Sequence, residues 1–126
     1  MKKVSYFVPA ILYYLLVFVA SSQDFNIPLG HGLDKAGHFI EFSLLGFFLS
    51  LGYFNAFSFP SGIKAFLVFI TGLPLGILDE LRQNFVPGRT SAVGDVMADA
   101  AGITAGILVY LCLLKMKKRP PESGAA

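Results

Sequence analysis

Charged residues are scarce in this chain, and cysteine is nearly absent. Only 14% of the 126 residues are charged, whereas 55% are hydrophobic, and Cys112 is the single cysteine. A lone cysteine excludes an intramolecular disulfide, and no redox motif, nucleotide-binding loop or basic nucleic-acid patch is present. We therefore expect no nucleic-acid partner. So little charge in so short a chain predicts a small integral membrane protein with one domain, residues 1–126.

Four apolar stretches predict membrane helices. Each approaches about 20 residues once its polar edges are counted, which is enough to cross a hydrocarbon core of about 30 Å. The predicted helices cover about residues 4–20, 38–57, 64–82 and 92–114. A signal peptide is the alternative for the first stretch, but its apolar run is longer than the usual ~7 to 15 residues and contains Pro9. The sequence thus predicts an all-α fold, a four-helix transmembrane bundle.

Basic residues predict the orientation of this bundle. Four spans put both termini on one side, and seven of the 10 basic residues flank the helices on that side. They are Lys2, Lys3, Lys64, Lys115, Lys117, Lys118 and Arg119. Because positively charged flanks stay in the cytoplasm, we expect cytoplasmic N and C termini, with 115–126 as a basic and then polar tail. The expected location is the inner (plasma) membrane, where a multi-pass protein contacts the lipid bilayer.

Ionisable residues concentrate in three segments at the opposite ends of the predicted helices. These segments are DKAGHFIEF at 34–42, DELRQ at 79–83 and DVMAD at 95–99. The spans alternate in direction, so the three segments should meet at one level on the outer side. A charged group within hydrocarbon costs several kcal/mol, roughly 3 for a central Asp, Lys or Arg. Such costly residues point to a functional site.

The chemistry of these residues suggests three roles. Acid–base catalysis is predicted for His38, Asp79, Glu80 and Asp95, because imidazole and carboxylate groups exchange protons. Substrate binding is predicted for Asp34, Lys35, Gln83 and Arg89, of which Lys35 and Arg89 suit a phosphate. Glu41 and Asp99 are predicted ligands of a divalent metal, although the sequence does not require a cofactor. Oxygen-rich ligands favour Mg, Mn or Ca over Zn.

Longer versions of the same segments resemble a known family. DKAGHFIEFSLLG, DELRQNFVPGRT and GDVMADAAGITAG have the order and spacing of the VanZ-like family of small bacterial membrane proteins. The resemblance covers most of the chain and implies a single VanZ-like membrane domain. It also implies lowered sensitivity to teicoplanin-type antibiotics for some members, without a mechanism. Asp99 departs from the Asn that is more usual in the family.

Three interpretations of the polar segments remain open. In the structural one, Lys35, Arg82 and Arg89 only neutralise carboxylates, but three bases are too few for the seven acids on the predicted outer side, which are the six of the polar segments and Asp24. In the second, a cell-envelope factor binds or masks a lipid or lipid-linked headgroup at the outer leaflet. In the third, a membrane enzyme modifies such a lipid at an acidic site, with or without a metal. The sequence favours the second, leaves open whether the chain is an enzyme and does not give the oligomeric state.

The orientation is testable with single cysteines introduced into a Cys112→Ser background. A membrane-impermeant thiol reagent applied to intact cells should label cysteines at positions 26 and 84, because both follow outward-directed spans. A cysteine in place of Ser61 should react only after the cells are opened. Labelling of Ser61→Cys in intact cells would reverse the orientation.

Overall fold

The structure is a computed structural model that describes residues 2–21, 31–85 and 93–118. The described chain forms five α-helices and no strand. They are α1 (Lys2–Ser5), α2 (Val8–Ser21), α3 (His31–Ala56), α4 (Ser61–Gln83) and α5 (Val93–Lys118). The predicted all-α fold is thereby confirmed.

Four helical segments are long and apolar enough to cross a membrane. They are Lys3–Ala20, which joins α1 to α2, Lys35–Ala56, Ser61–Gln83 and Val93–Lys118. Their outward surfaces carry large apolar side chains, such as Leu12, Phe66 and Leu108, which are exposed. Exposed apolar side chains on helices of this length suit contact with lipid. The predicted four-helix transmembrane bundle is thus the observed architecture.

Two features of the helices differ most from the prediction, and the other bounds agree within four residues. The prediction starts the second span at residue 38, whereas α3 begins at His31, about two turns earlier. Apolar character marks the part of a helix that suits hydrocarbon, and a helix can continue beyond it through polar residues. The first span is interrupted by a turn at Tyr6 and Phe7. Pro9 follows in the first turn of α2, where its missing N–H removes no helical hydrogen bond.

The central helix is α3, which packs against each of the other four helices. Buried side chains of α3 include Phe42 and Leu45, and they form one core with Val68 of α4 and Ile103 of α5. In water, burial of such a side chain stabilises a fold by roughly 1.5–3 kcal/mol. Within a membrane, where lipid is equally apolar, the stabilisation comes from tight packing of the side chains instead. The core lies between α3, α4 and α5, so these three helices fix one another's positions.

Three glycines allow the backbones of α3 and α5 to approach closely. We call Gly46, Gly102 and Gly106 the glycine seam. A Cβ atom on Gly102 would lie 2.5 Å from the carbonyl oxygen of Phe39, and a Cβ on Gly106 would collide with the carbonyl oxygen of Ser43. On the α3 side, a Cβ on Gly46 would lie 2.6 Å from the carbonyl oxygen of Ile103. Small residues at such positions are typical of closely packed membrane helices.

Aromatic and basic side chains gather at the end of the bundle where α3 and α5 finish. Lys3 lies over the ring of Phe57 and Lys64 over the ring of Phe54, at 5.4 and 4.5 Å from the ring centroids. Tyr110 of α5 packs against the same Phe54. Aromatic rings and lysines are typical of the membrane–water interface. The N-terminal helix and the last turns of α5 therefore share one end, which we call the basic end.

The glycine seam predicts that a glycine-to-alanine change within it lowers stability, whereas the same change at a glycine outside it does not. Gly102→Ala should lower the free energy of unfolding by roughly 2 kcal/mol or more, because its methyl group has no room beside the Phe39 carbonyl. Gly37→Ala, also within a helix, has open space around its Cβ. It should leave stability unchanged or raise it by up to about 1 kcal/mol. Thermal unfolding in detergent measures both variants, and equal stabilities would contradict a tight α3–α5 contact.

Candidate functional site

Six polar side chains are buried together at the opposite end of the bundle. We call them the polar cluster: His38 on α3, Asp79, Glu80 and Gln83 on α4, and Asp95 and Asp99 on α5. None is more than 5% exposed. Spacings of three or four residues, from Asp79 and Glu80 to Gln83 and from Asp95 to Asp99, keep these side chains on the faces that meet the neighbouring helices. The structure thus brings together residues from all three of the polar segments.

His38 connects the three helices. Its Nδ1 atom lies 3.0 Å from Oδ1 of Asp99 on α5 and 3.5 Å from Oε1 of Glu80 on α4. The first distance is that of a hydrogen bond, with Nδ1 as the donor when it carries a proton. One imidazole therefore faces two buried carboxyl groups from two different helices.

Three carboxyl oxygens in the cluster accept no hydrogen bond from the part of the chain that the structure describes. They are both oxygens of Glu80 and Oδ2 of Asp99. Gly76 makes room for the Asp99 group, since a Cβ there would lie 3.0 Å from that same Oδ2. A buried polar atom without a partner costs about 1–3 kcal/mol, and more when it is charged. Three such atoms lie in one place, and the contact of 3.5 Å between Glu80 Oε1 and His38 is the nearest approach of an opposite charge that the structure describes for Glu80.

Asp79 differs because its two oxygens are both bonded. Arg82 donates from Nη2 to Oδ1 at 3.0 Å, and Gln83 donates from Nε2 to Oδ2 at 3.0 Å. The Arg82 guanidinium also lies 4.0 Å from the ring centroid of Phe18 on α2. Arg82 thereby links α4 to the first span while it neutralises a carboxylate that is only 1% exposed.

The remaining predicted site residues lie at the edge of the cluster or outside the described part. Lys35 is exposed, and its Nζ lies 3.1 Å from where a Cβ of Gly94 would be, at the start of α5. Glu41 is half-buried, and its backbone carbonyl accepts a hydrogen bond from Tyr13 at 2.9 Å. The side chain of Asp34 and the whole of Arg89 lie outside the described residues. The predicted substrate-binding set thus contributes Gln83 to the interior and Lys35 to the rim.

The residues whose ligand atoms lie close enough to share a metal ion are not the predicted ligands Glu41 and Asp99. Potential ligand atoms of His38, Asp79 and Glu80 all lie within 4.8 Å of one another. Of the predicted metal ligands, Asp99 contacts this group through His38, whereas Glu41 is not part of it. Two further residues contribute: Arg82, which the sequence placed only in the structural interpretation as a base that neutralises carboxylates, and Gly76, which was not predicted as part of the site. The three-residue spacing of Asp79 and Arg82 was the available signal for the first.

Comparison with known proteins identifies the family of the chain. A family model described as VanZ/LLP1 matches residues 2–115, a range that includes the whole polar cluster. The chain belongs to the VanZ/LLP1 family. Searches of curated proteins and of solved structures found no significant match. The resemblance seen in the three polar segments is therefore confirmed, and the chain is a multi-pass membrane protein of the VanZ-like type.

The Arg82–Asp79 pair predicts how this VanZ-like protein responds to loss of a charge. Arg82→Ala should lower the free energy of unfolding by about 3 kcal/mol, because it leaves a buried carboxylate without its cation. Lys117→Ala, which removes an exposed cation near the end of α5, should change it by less than about 0.5 kcal/mol.

Adding Asp79→Asn to the Arg82→Ala variant tests the cause. The amide carries no charge, so the double variant should recover much of the lost stability. Thermal unfolding in detergent gives all three values. A double variant as unstable as Arg82→Ala would attribute the loss to the contact of Arg82 with Phe18 rather than to the ion pair.

Proposed function

We propose that this VanZ-like protein binds or masks the headgroup of an envelope lipid or lipid-linked molecule at the polar cluster. The observation that carries the proposal is the buried carboxyl group of Glu80, which accepts no hydrogen bond from the described residues at the polar end of a membrane bundle. Ionisable groups at such a position are costly and mark sites of binding or transport in membrane proteins. A headgroup lies at the same level as the polar end of the bundle.

The chemistry of the cluster restricts the ligand. Carboxyl oxygens accept hydrogen bonds, so the interior suits a headgroup with donors, such as hydroxyl, amide or ammonium groups. Lys35 at the rim suits a phosphate. The acids deeper in the cluster would repel that phosphate, so it would stay at the rim. A molecule that carries a phosphate on one side of a hydrogen-bonding headgroup satisfies both parts of the site. Lipids and lipid-linked cell-wall precursors have this arrangement.

The orientation and the phenotype form the second part of the proposal. The basic end would face the cytoplasm of a cell with this protein in its inner (plasma) membrane, and the polar cluster would open to the outer leaflet. A headgroup held there is withdrawn from the outer surface. Because some members of the family lower sensitivity to teicoplanin-type glycopeptides, reduced access of these lipophilic antibiotics is the proposed consequence.

An enzyme acting on the same lipid is the second candidate function. The contact of 3.0 Å between His38 Nδ1 and Asp99 Oδ1 is favourable for it, since a carboxylate that orients an imidazole is a recurring part of general-base sites. In that case Nε2 of His38 would take a proton from water or from a hydroxyl group of the lipid. Glu80 would stabilise the positive charge that then forms on the ring.

Both functions predict loss of activity in His38→Gln. Glutamine nearly keeps the size of the side chain and can still donate to Asp99, but it has no imidazole. Cells that express His38→Gln at the normal level should therefore behave as cells without the gene in teicoplanin sensitivity. His31→Gln, at the only other histidine, is the matched control and should retain the wild-type phenotype. Full activity of His38→Gln would show that the imidazole is not needed and that His38 acts only as a structural hydrogen-bonding group.

Lipid analysis separates the two candidate functions. Lipids that remain bound to the purified protein are identified by mass spectrometry, and the cellular lipidome is compared with and without the gene. A binding protein should retain a specific lipid in wild type and not in His38→Gln, with an unchanged lipidome. An altered lipid species in cells would favour the enzyme. If the purified protein retains no lipid and the lipidome does not change, the proposal as a whole is contradicted.

A further inference from the structure

The spacing of polar atoms around His38 matches the edges of a metal coordination sphere. For metal–ligand bonds of about 2.1 Å, neighbouring ligand atoms lie about 3.0 Å apart in an octahedral site and about 3.4 Å apart in a tetrahedral site. The two distances from His38 Nδ1 are 3.0 Å to Asp99 and 3.5 Å to Glu80. Asp79 belongs to the same group, whose ligand atoms lie within 4.8 Å of one another.

The burial of Glu80 is the second, independent observation. Its side chain is only 5% exposed, faces the His38 ring and has two oxygens that accept no hydrogen bond from the described chain. Arg82, the nearest base on the same helix, donates to Asp79 instead. Taking a carboxylate out of water costs several kcal/mol, and the His38 ring compensates Glu80 only when it is protonated, so a metal cation beside Glu80 would be favoured.

The charge of the cluster indicates the valence of that cation. Asp79, Glu80, Asp95 and Asp99 provide four carboxyl groups. Arg82 is bonded to Asp79, and Lys35 lies against Gly94, next to Asp95 in the chain. When all four carboxyl groups are ionised and the imidazole is neutral, the difference is two negative charges. One divalent cation balances this difference, and a monovalent cation does not.

We propose that the polar cluster binds one divalent cation, with Nδ1 of His38 and the carboxylates of Glu80, Asp79 and Asp99 as its ligands. Asp79 would bind through a carboxylate oxygen whose position is fixed by its bonds to Arg82 and Gln83. His38 Nδ1 cannot donate a proton to Asp99 and bind a cation at the same time. Binding therefore requires the tautomer with its proton on Nε2, the Nδ1 proton being lost to solvent, and it replaces the His38–Asp99 hydrogen bond by two bonds to the metal.

The ligand set favours cations that accept both nitrogen and oxygen. One imidazole with three carboxylates suits Mn²⁺ or Zn²⁺, whereas Ca²⁺ prefers oxygen alone at 2.3–2.6 Å. This inference goes beyond the proposed function, because it concerns an ion and not the lipid. It is tested with the metal alone, so its failure leaves the lipid proposal standing.

The direct test is a Mn²⁺ titration of the purified full-length protein in detergent after removal of metals with a chelator. Calorimetry, together with the Mn²⁺ electron paramagnetic resonance signal, should give one saturable site per chain, and Mn²⁺ should raise the unfolding temperature. Ca²⁺ should bind at least about tenfold more weakly, since the imidazole contributes little to it. Absence of saturable Mn²⁺ or Zn²⁺ binding to wild type would overturn the proposal, whatever the variants do.

Glu80→Gln assigns the site to the polar cluster. It keeps the size of the side chain and removes a ligand, so Mn²⁺ affinity should fall by about 100-fold or more. Glu122→Gln is the matched control, with the same chemical change in the C-terminal tail, and should bind as wild type does. Without metal, Glu80→Gln should be at least as stable as wild type, because an unpaired buried charge is gone. Wild-type affinity in Glu80→Gln would overturn the proposal.

Two further variants define the ligand set. Asp99→Asn should also weaken Mn²⁺ binding, and it provides a second variant if Glu80→Gln does not fold. Glu41→Gln distinguishes this ligand set from the one predicted from the sequence, since Glu41 lies outside the group around His38. Loss of Mn²⁺ in Glu41→Gln with full binding in Asp99→Asn and Glu80→Gln would move the ion to a different site and contradict the assignment.

Discussion

The close approach of α3 and α5 is the contact on which the rest of the structure depends. Gly102 and Gly106 leave no side chain between the two helices, so the backbone of α5 lies directly against the carbonyl groups of α3. Asp99 is on the same face of α5, one turn before Gly102, and His38 immediately precedes Phe39, whose carbonyl Gly102 meets. The distance of 3.0 Å between His38 and Asp99 thus follows from the register of the glycine contact. A larger residue at Gly102 or Gly106 would move α3 and α5 apart, and it would therefore also increase the distance between His38 and Asp99.

The carboxyl groups of α4 show that structural and functional explanations apply to different residues. Asp79 is fully bonded to Arg82 and Gln83, and this arrangement accounts for a charged residue that holds helices together. Its neighbour Glu80 has the same burial but no hydrogen bond within the described chain. A protein selected for stability alone would do better with an apolar side chain at that position. The structural interpretation therefore explains Asp79 better than Glu80, and this difference is the reason for the proposals made for Glu80.

The sequence could predict the spans and the meeting of the polar segments, because length, hydropathy and alternating direction determine which helix ends lie together. It could not predict which acid meets His38. Glu41 follows His38 by three residues on the same helix, whereas Asp99 is one of several acids on other predicted helices, and only the rotation of each helix decides which of them meets the imidazole. That rotation depends on close contacts such as those at Gly76 and Gly102, whose closeness no periodicity reveals. The start of α3 at His31 escaped prediction for a related reason, since polar residues continued the helix beyond its apolar part.

The charge of the polar cluster connects the proposed ion with the proposed lipid. As a set of carboxylates around one imidazole, the cluster attracts hydrogen-bond donors and repels phosphate. The proposed divalent cation, if held by Glu80 and Asp99, would reverse this preference, because it would neutralise the acids and could share a phosphate oxygen with them. Lys35 at the rim would then add to an attraction for phosphate that the metal-free cluster opposes. Metal occupancy would in this way select between two classes of headgroup, and the same residues would serve either one.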